Sequence, residues 1–143
     1  RRDLMARYLK APPPDSVVSL TVNAETTRGQ DQLHIHIDCL SPDVAKTLAA
    51  YAPHIDAAWR PMTEALAGRK YWARRLDDLD AVDPFRLVSQ EPPTPAKMGQ
   101  WSLAVAPLVF DGKPGFALLA DLAELTAGGH AEDLQDHACA LAR

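Results

Sequence analysis

No run of apolar residues in this chain approaches the ~20 that a membrane-spanning helix needs, so none of its segments reads as a transmembrane helix. A secretory leader is missing too, and the chain opens on Arg1 rather than Met. It reads as a trimmed piece of a longer protein, in which a missing anchor says little about the parent. Excess positive charge is also lacking: the formal net charge is −4, which gives no case for nucleic acid. The local pairs Arg1-Arg2, Arg69-Lys70 and Arg74-Arg75 still leave room for a small anionic ligand. Cysteine is scarce, with only Cys39 and Cys139. Two cysteines fit a buried pair of thiols or one disulfide, and the residues alone lean to thiols. Neither an internal repeat nor a low-complexity segment is found.

What remains is ordinary globular material. The chain has 143 residues, 47% hydrophobic and 24% charged, enough for a single domain over 1–143 with a real core. Arg1 to Lys10 carries a helical apolar stripe, which Pro12, Pro13 and Pro14 end. Ser16 to Asn23 is β-branched and alternating, a strand; Ala24 to Asp31 is a polar loop. Ser41-Pro42-Asp43 opens a helix that runs to about Ala52, and Ile55 to Trp59 adds a further turn. Lys70 to Leu76 reads as a strand, Asp83 to Gln90 as a short helix, and Glu91 to Pro95 as a connector. Trp101 to Phe110 and Gly115 to Leu122 form a hairpin around Asp111-Gly112. Ala131 to Ala142 is predicted as a final helix. Strands followed by helices, twice over, predict an α+β fold with antiparallel sheet.

The chemistry concentrates in Gln32 to Asp38. On a strand, alternate side chains share a face, so His34, His36 and Asp38 form one row and Leu33, Ile35, Ile37 and Cys39 form a core face. Three readings follow. The row is a polar strand face; or His34 and His36 ligate a metal with Asp38 as a third donor; or an imidazole attacks phosphorus while its neighbours orient it. Large metal-hydrolase barrels need far more chain than this. The preceding residues suit the third reading. Asn23 can orient a histidine or bind a sugar hydroxyl, and the loop with Thr27, Arg28, Gly29 and Gln30 can cradle a phosphate. Set apart from its neighbours, that loop is an unremarkable hairpin connection. His54 and His130 read as surface residues, and Trp59, Trp72 and Trp101 as core or edge aromatics. Tyr71 and Arg74 can approach a ligand, with ion pairing as the simpler role for Arg74. His137 is balanced between a packing role and a place in the site.

Asn23, the pair Gly29-Gln30 and the spacing His34-x-His36 resemble the core motif of the histidine-triad superfamily of nucleotide hydrolases and transferases. Within it, the chain is most similar to the bacterial CDP-diacylglycerol pyrophosphatases. The similarity takes in Ser19 to Asn23, Asp31 to Cys39, Ser41 to Val44, Tyr71 to Arg75, Met98-Gly99, Phe116 to Ala120, Ala131 to His137 and Cys139. It implies a histidine-triad-like antiparallel sheet with flanking helices, short of N-terminal strands. It also implies attack on the CMP-side phosphorus of CDP-diacylglycerol, release of phosphatidate, and hydrolysis of a CMP-histidine intermediate. By position His36 matches the nucleophile, His34 the supporting histidine, Asn23 the orienting amide and Gln30 the phosphate-loop residue. Neither metal nor other cofactor is implied. The implied parent sits at the bacterial inner membrane through an N-terminal anchor, its catalytic domain periplasmic. That setting aligns both cysteines where disulfides persist, so a Cys39–Cys139 bridge stands beside the free thiols, decided by a Cα separation below about 7 Å. The third triad slot holds Asp38, whose carboxylate only accepts hydrogen bonds; it is expected to orient His36 or a cation rather than to touch phosphate. Two alternatives remain: a metal-dependent hydrolase using His34, His36 and Asp38, or a non-catalytic nucleotide- or lipid-headgroup-binding module.

Overall fold

The computed structural model describes residues 11–124 and 127–143; the helix expected over Arg1 to Lys10 lies outside the described residues. Seven antiparallel strands form one sheet: β1 (Val18–Val22), β2 (His36–Leu40), β3 (Arg60–Pro61), β4 (Trp72–Leu76), β5 (Trp101–Phe110), β6 (Lys113–Leu122) and β7 (Gln135–Asp136). Their order is β3-β4-β6-β5-β1-β2-β7. Helices α1 (Pro42–Tyr51) and α2 (Pro84–Gln90) lie among two separate apolar clusters, one on each face of the sheet. The fold is α+β, and no described helix is long and apolar enough to cross a membrane.

Local chemistry accounts for the long elements. Asp111 and Gly112 both take positive φ, 48° and 77°, which a two-residue hairpin turn matched to strand twist requires. Ser41 Oγ accepts from Val44 N at the start of α1, with Pro42 in the first turn. Asp83 accepts from Phe85 N and Arg86 N at the start of α2. The α1 face of the sheet sets small residues (Ala73, Ala104, Ala106 and Ala117) among Leu108, Phe110 and Leu119, and Val44 and Leu48 of α1 pack in the same cluster. The other face carries Leu103, Val105 and Leu118 against Val88 of α2, with Trp101 buried and Trp59 and Trp72 packed around them. Arg74 pairs with Glu91 at 2.8 Å.

Three expectations are corrected. The strand predicted from Gln32 begins only at His36, because the β1–β2 register ends at Thr21↔His36 and earlier residues have no partner strand. Leu33 and Ile35, expected on a core face, are therefore 59% and 48% exposed, whereas Cys39 on the same face is buried. The helix predicted over Ala131 to Ala142 is a 3-10 turn (Ala131–Leu134), the short β7, and a last 3-10 turn (Ala140–Ala142). Two tertiary ties hold this segment extended along β2: strand pairing of Leu40↔Gln135 and Cys39↔Asp136, and a Cys39–Cys139 disulfide. The turn expected over Ile55 to Trp59 gives way to a 3-10 turn at Ala52–His54, followed by the edge strand β3.

The Cα atoms of Cys39 and Cys139 are 5.2 Å apart and the bridge spans 100 residues of sequence. A cross-link closing so long a loop removes much unfolded-chain entropy. Reduction is expected to lower unfolding stability by about 2–4 kcal/mol. Denaturant midpoints with and without reductant measure this, and coincident midpoints refute it.

Candidate active site

The site grows from the α1-side face of β1 and β2. Leu40 is buried beneath α1, but Asp38 and His36, two and four residues earlier on the same face, are only partly covered. There they meet the C-terminal segment. His34, just before the strand, keeps the alternation: its ring centroid lies 4.7 Å from that of His36, tilted by 59°. His34 Nδ1 donates to the Gln32 carbonyl at 3.0 Å, which orients the ring and makes Nε2 the nitrogen that carries the lone pair.

Asp38 does not turn to His36. Its Oδ1 accepts from Cys39 N at 2.8 Å, and its Oδ2 accepts from His137 Nδ1 at 2.5 Å. That hydrogen bond, then the Asp38 charge, raises the His137 pKa above the usual imidazole value; slight burial opposes this, and Glu132 and Asp136 add to it. The carboxylate beside His36 belongs to Glu132, whose Oε2 lies 3.3 Å from His36 Nε2. This is an ion-pair distance without hydrogen-bond geometry, and the buried Nε2 has no hydrogen-bond partner among the described residues.

Asn23 is buried at the end of β1 and its Oδ1 accepts from Glu132 N at 3.2 Å. It thus positions the residue that faces His36, rather than the imidazole itself. Gln135 ties three strands together. Its Nε2 donates to Ser19 Oγ at 3.0 Å and to the carbonyls of Ser19 and His36, each at 3.3 Å, while its Oε1 accepts from Thr21 Oγ1 at 3.1 Å.

The loop residues divide. Thr27 Oγ1 is committed to the carbonyls of Gly129, at 2.5 Å, and Ala24, at 3.1 Å, so its hydroxyl fastens the loop to the C-terminal segment. Arg28 has a buried Nε with no hydrogen-bond partner among the described residues. Gly29 and Gln30 are exposed, and a Cβ at Gly29 would meet nothing within 4 Å. Tyr71 lies in the α1-side core, where burial pushes its hydroxyl pKa up, helped by the Asp121 charge. His54 and His130 are exposed.

Glu132 and Gln135 escape a reading of the sequence because they join the histidines only through the fold. The signal that could have found them is the run Ala131 to His137, part of the family resemblance; a helix puts Glu132 and Gln135, three residues apart, on one face but gives no reason for that face to meet β2. Among the described residues, no group of three or more His, Cys, Asp or Glu side chains is placed to hold a metal ion. The arrangement offers paired imidazoles and two carboxylates, each beside a different imidazole. That set suits nucleophilic attack on phosphorus followed by proton transfer.

A family model described as CDP-diacylglycerol pyrophosphatase matches residues 1–143. A CDP-diacylglycerol pyrophosphatase from Yersinia pestis is 40% identical over 143 residues, covering 96% of this chain. The chain spans about half the length of that relative, 54%.

Proposed function

Because the chain belongs to the CDP-diacylglycerol pyrophosphatase family, we propose that it hydrolyses the pyrophosphate bond of CDP-diacylglycerol, giving CMP and phosphatidate, with His36 as nucleophile. A ring nitrogen of His36 attacks the CMP-side phosphorus, the bond to the phosphatidate oxygen breaks, and that oxygen leaves with the electron pair. Water then cleaves the phosphorus–nitrogen bond. The adduct places positive charge on the imidazole, and the Glu132 carboxylate beside the ring stabilises it. His34, held by Gln32, donates to or orients the phosphoryl oxygens, and Arg28 adds charge from the loop with Gly29 and Gln30.

The observation that carries this reading is the pair of adjacent imidazoles on one face at the start of β2, with His34 fixed by a backbone carbonyl and a carboxylate at His36. In the same proposal the sheet is histidine-triad-like, and the domain works at a bacterial inner membrane on the periplasmic side. The lipid substrate and the Cys39–Cys139 bridge, which persists in an oxidising compartment, support that placement.

The test is to quench the reaction under alkaline conditions, which preserve phosphoramidates, and map the labelled residue by mass. A CMP adduct on His36 is expected. An adduct on another residue overturns the assignment. Turnover that requires a stoichiometric divalent metal, with no adduct, favours the metal-dependent alternative. Tight binding of CDP-diacylglycerol without turnover leaves the binding-module reading.

A further inference from the structure

We propose that His137, clasped by Asp38 and tethered to β2 through the Cys39–Cys139 bridge, is the general base that activates water for release of CMP from His36. The inference rests on the covalent reading above and adds to it the residue responsible for the second step.

Four placements support it. Asp38 stands two residues from His36 on the same strand face, so their side chains are separated by about 7 Å, the rise of two strand residues. His137 is held to Asp38 by its Nδ1, and its side chain is 82% exposed, which leaves Nε2 open to water. The disulfide ties the residue after Asp38 to the residue two beyond His137, fixing the two segments that carry the pair. Glu132 links the two imidazoles: it is 3.3 Å from His36, and its charge also acts on His137. An aspartate that holds Nδ1–H sets the tautomer in which Nε2 carries the lone pair, and it stabilises the imidazolium that forms when Nε2 takes a proton.

Chemistry assigns His137 to the second step. The leaving phosphatidate is a phosphomonoester whose second ionisation lies near pH ~6, so it departs without needing a proton. Water is a poor nucleophile and must lose one. His137 Nε2 accepts that proton as the water oxygen bonds to phosphorus. The phosphorus–nitrogen bond breaks, its electron pair returns to His36, and the His137 proton is then released to solvent. Asp38 thus brings an imidazole to the strand face that carries His36 through a residue 99 positions away.

The experiment is pre-steady-state kinetics of the chain on CDP-diacylglycerol in mixed detergent micelles, comparing wild type with His137→Asn, His137→Gly and His36→Ala. His137→Asn is expected to release about one phosphatidate per chain in a fast burst. It then turns over roughly 10²–10³-fold more slowly, with CMP accumulating on His36. Free imidazole is expected to rescue His137→Gly, because the site is open to solvent. A merely structural histidine produces neither the adduct nor the rescue. Wild-type turnover by His137→Asn, or equal slowing of burst and steady state without adduct, overturns the proposal while leaving the covalent reading intact. Turnover retained by His36→Ala, or no turnover by wild type, overturns both.

Discussion

Replacing His36 by alanine is expected to lower turnover of CDP-diacylglycerol by at least ~10⁴-fold, because it removes the atom that forms the covalent bond. The fold is expected to tolerate the change. His36 begins β2, is partly exposed, and lends its backbone rather than its ring to the contacts with Thr21 and Gln135. A thermal midpoint within a few degrees of wild type, with activity gone, separates chemistry from collapse. His34→Ala is expected to lose far less, since that ring orients and stabilises without being consumed. The contrast is diagnostic: two metal ligands fail together, whereas a nucleophile and its supporting residue fail unequally. His36→Ala retaining more than about a tenth of wild-type turnover refutes the assignment.

The largest stability loss is expected at Asp121, a residue that touches neither histidine. It is the penultimate residue of β6, its side chain on the α1-side face and only 4% exposed. Its Oδ1 accepts from Arg69 Nη2 at 3.0 Å and its Oδ2 from Gly129 N at 2.8 Å. Asp121→Ala strands both donors, and breaking such a pair costs about 3–5 kcal/mol when both partners are buried. Arg69 is 35% exposed and recovers some solvation, so about 3 kcal/mol is expected.

The effect reaches the site through the turn that Asp121 holds. Gly128 and Gly129 both lie at φ 83°, and a Cβ on Gly128 would come within 2.4 Å of Arg69 Nη2, so this turn requires glycine. The Gly129 carbonyl accepts from Ala24 N and Thr27 Oγ1, and Glu132 follows three residues later. Asp121→Ala is thus expected to impair catalysis beyond its loss of folded population. Asp121→Asn, which can still accept from Gly129 N, is expected to recover part of the stability. Urea unfolding of the three proteins is the measurement; a shift below about 1 kcal/mol for alanine refutes the role.

Much of the scaffold was legible because it is written in short-range terms. Asp111-Gly112 prescribes its hairpin turn, Ser41-Pro42 and Asp83-Pro84 prescribe their helix starts, and the alternation of Val18 to Val22 prescribes a strand. The histidine row was legible for the same reason, since alternation sets a shared face whether or not hydrogen bonds extend the strand to His34. The errors are also physical. Leu33 and Ile35 alternate as a core strand does, yet a strand's inner face is buried only where neighbouring strands and a packed layer reach it. Ala131 to Ala142 has helical composition, but pairing with β2 and the bridge to Cys39 outweigh a propensity of tenths of a kcal/mol per residue.

By itself, then, the sequence determined the α+β class, the hairpins and helix starts, and the imidazole pair His34 and His36, because each depends on periodicity or on turn and cap chemistry within a few residues. Only the tertiary structure decided that Asp38 holds His137, that Glu132 faces His36, and that Asn23 and Gln135 serve the scaffold of the site. Those contacts join segments about a hundred residues apart, and no local preference encodes which carboxylate meets which imidazole. That choice follows from strand register and a disulfide, which exist only once the chain has closed on itself.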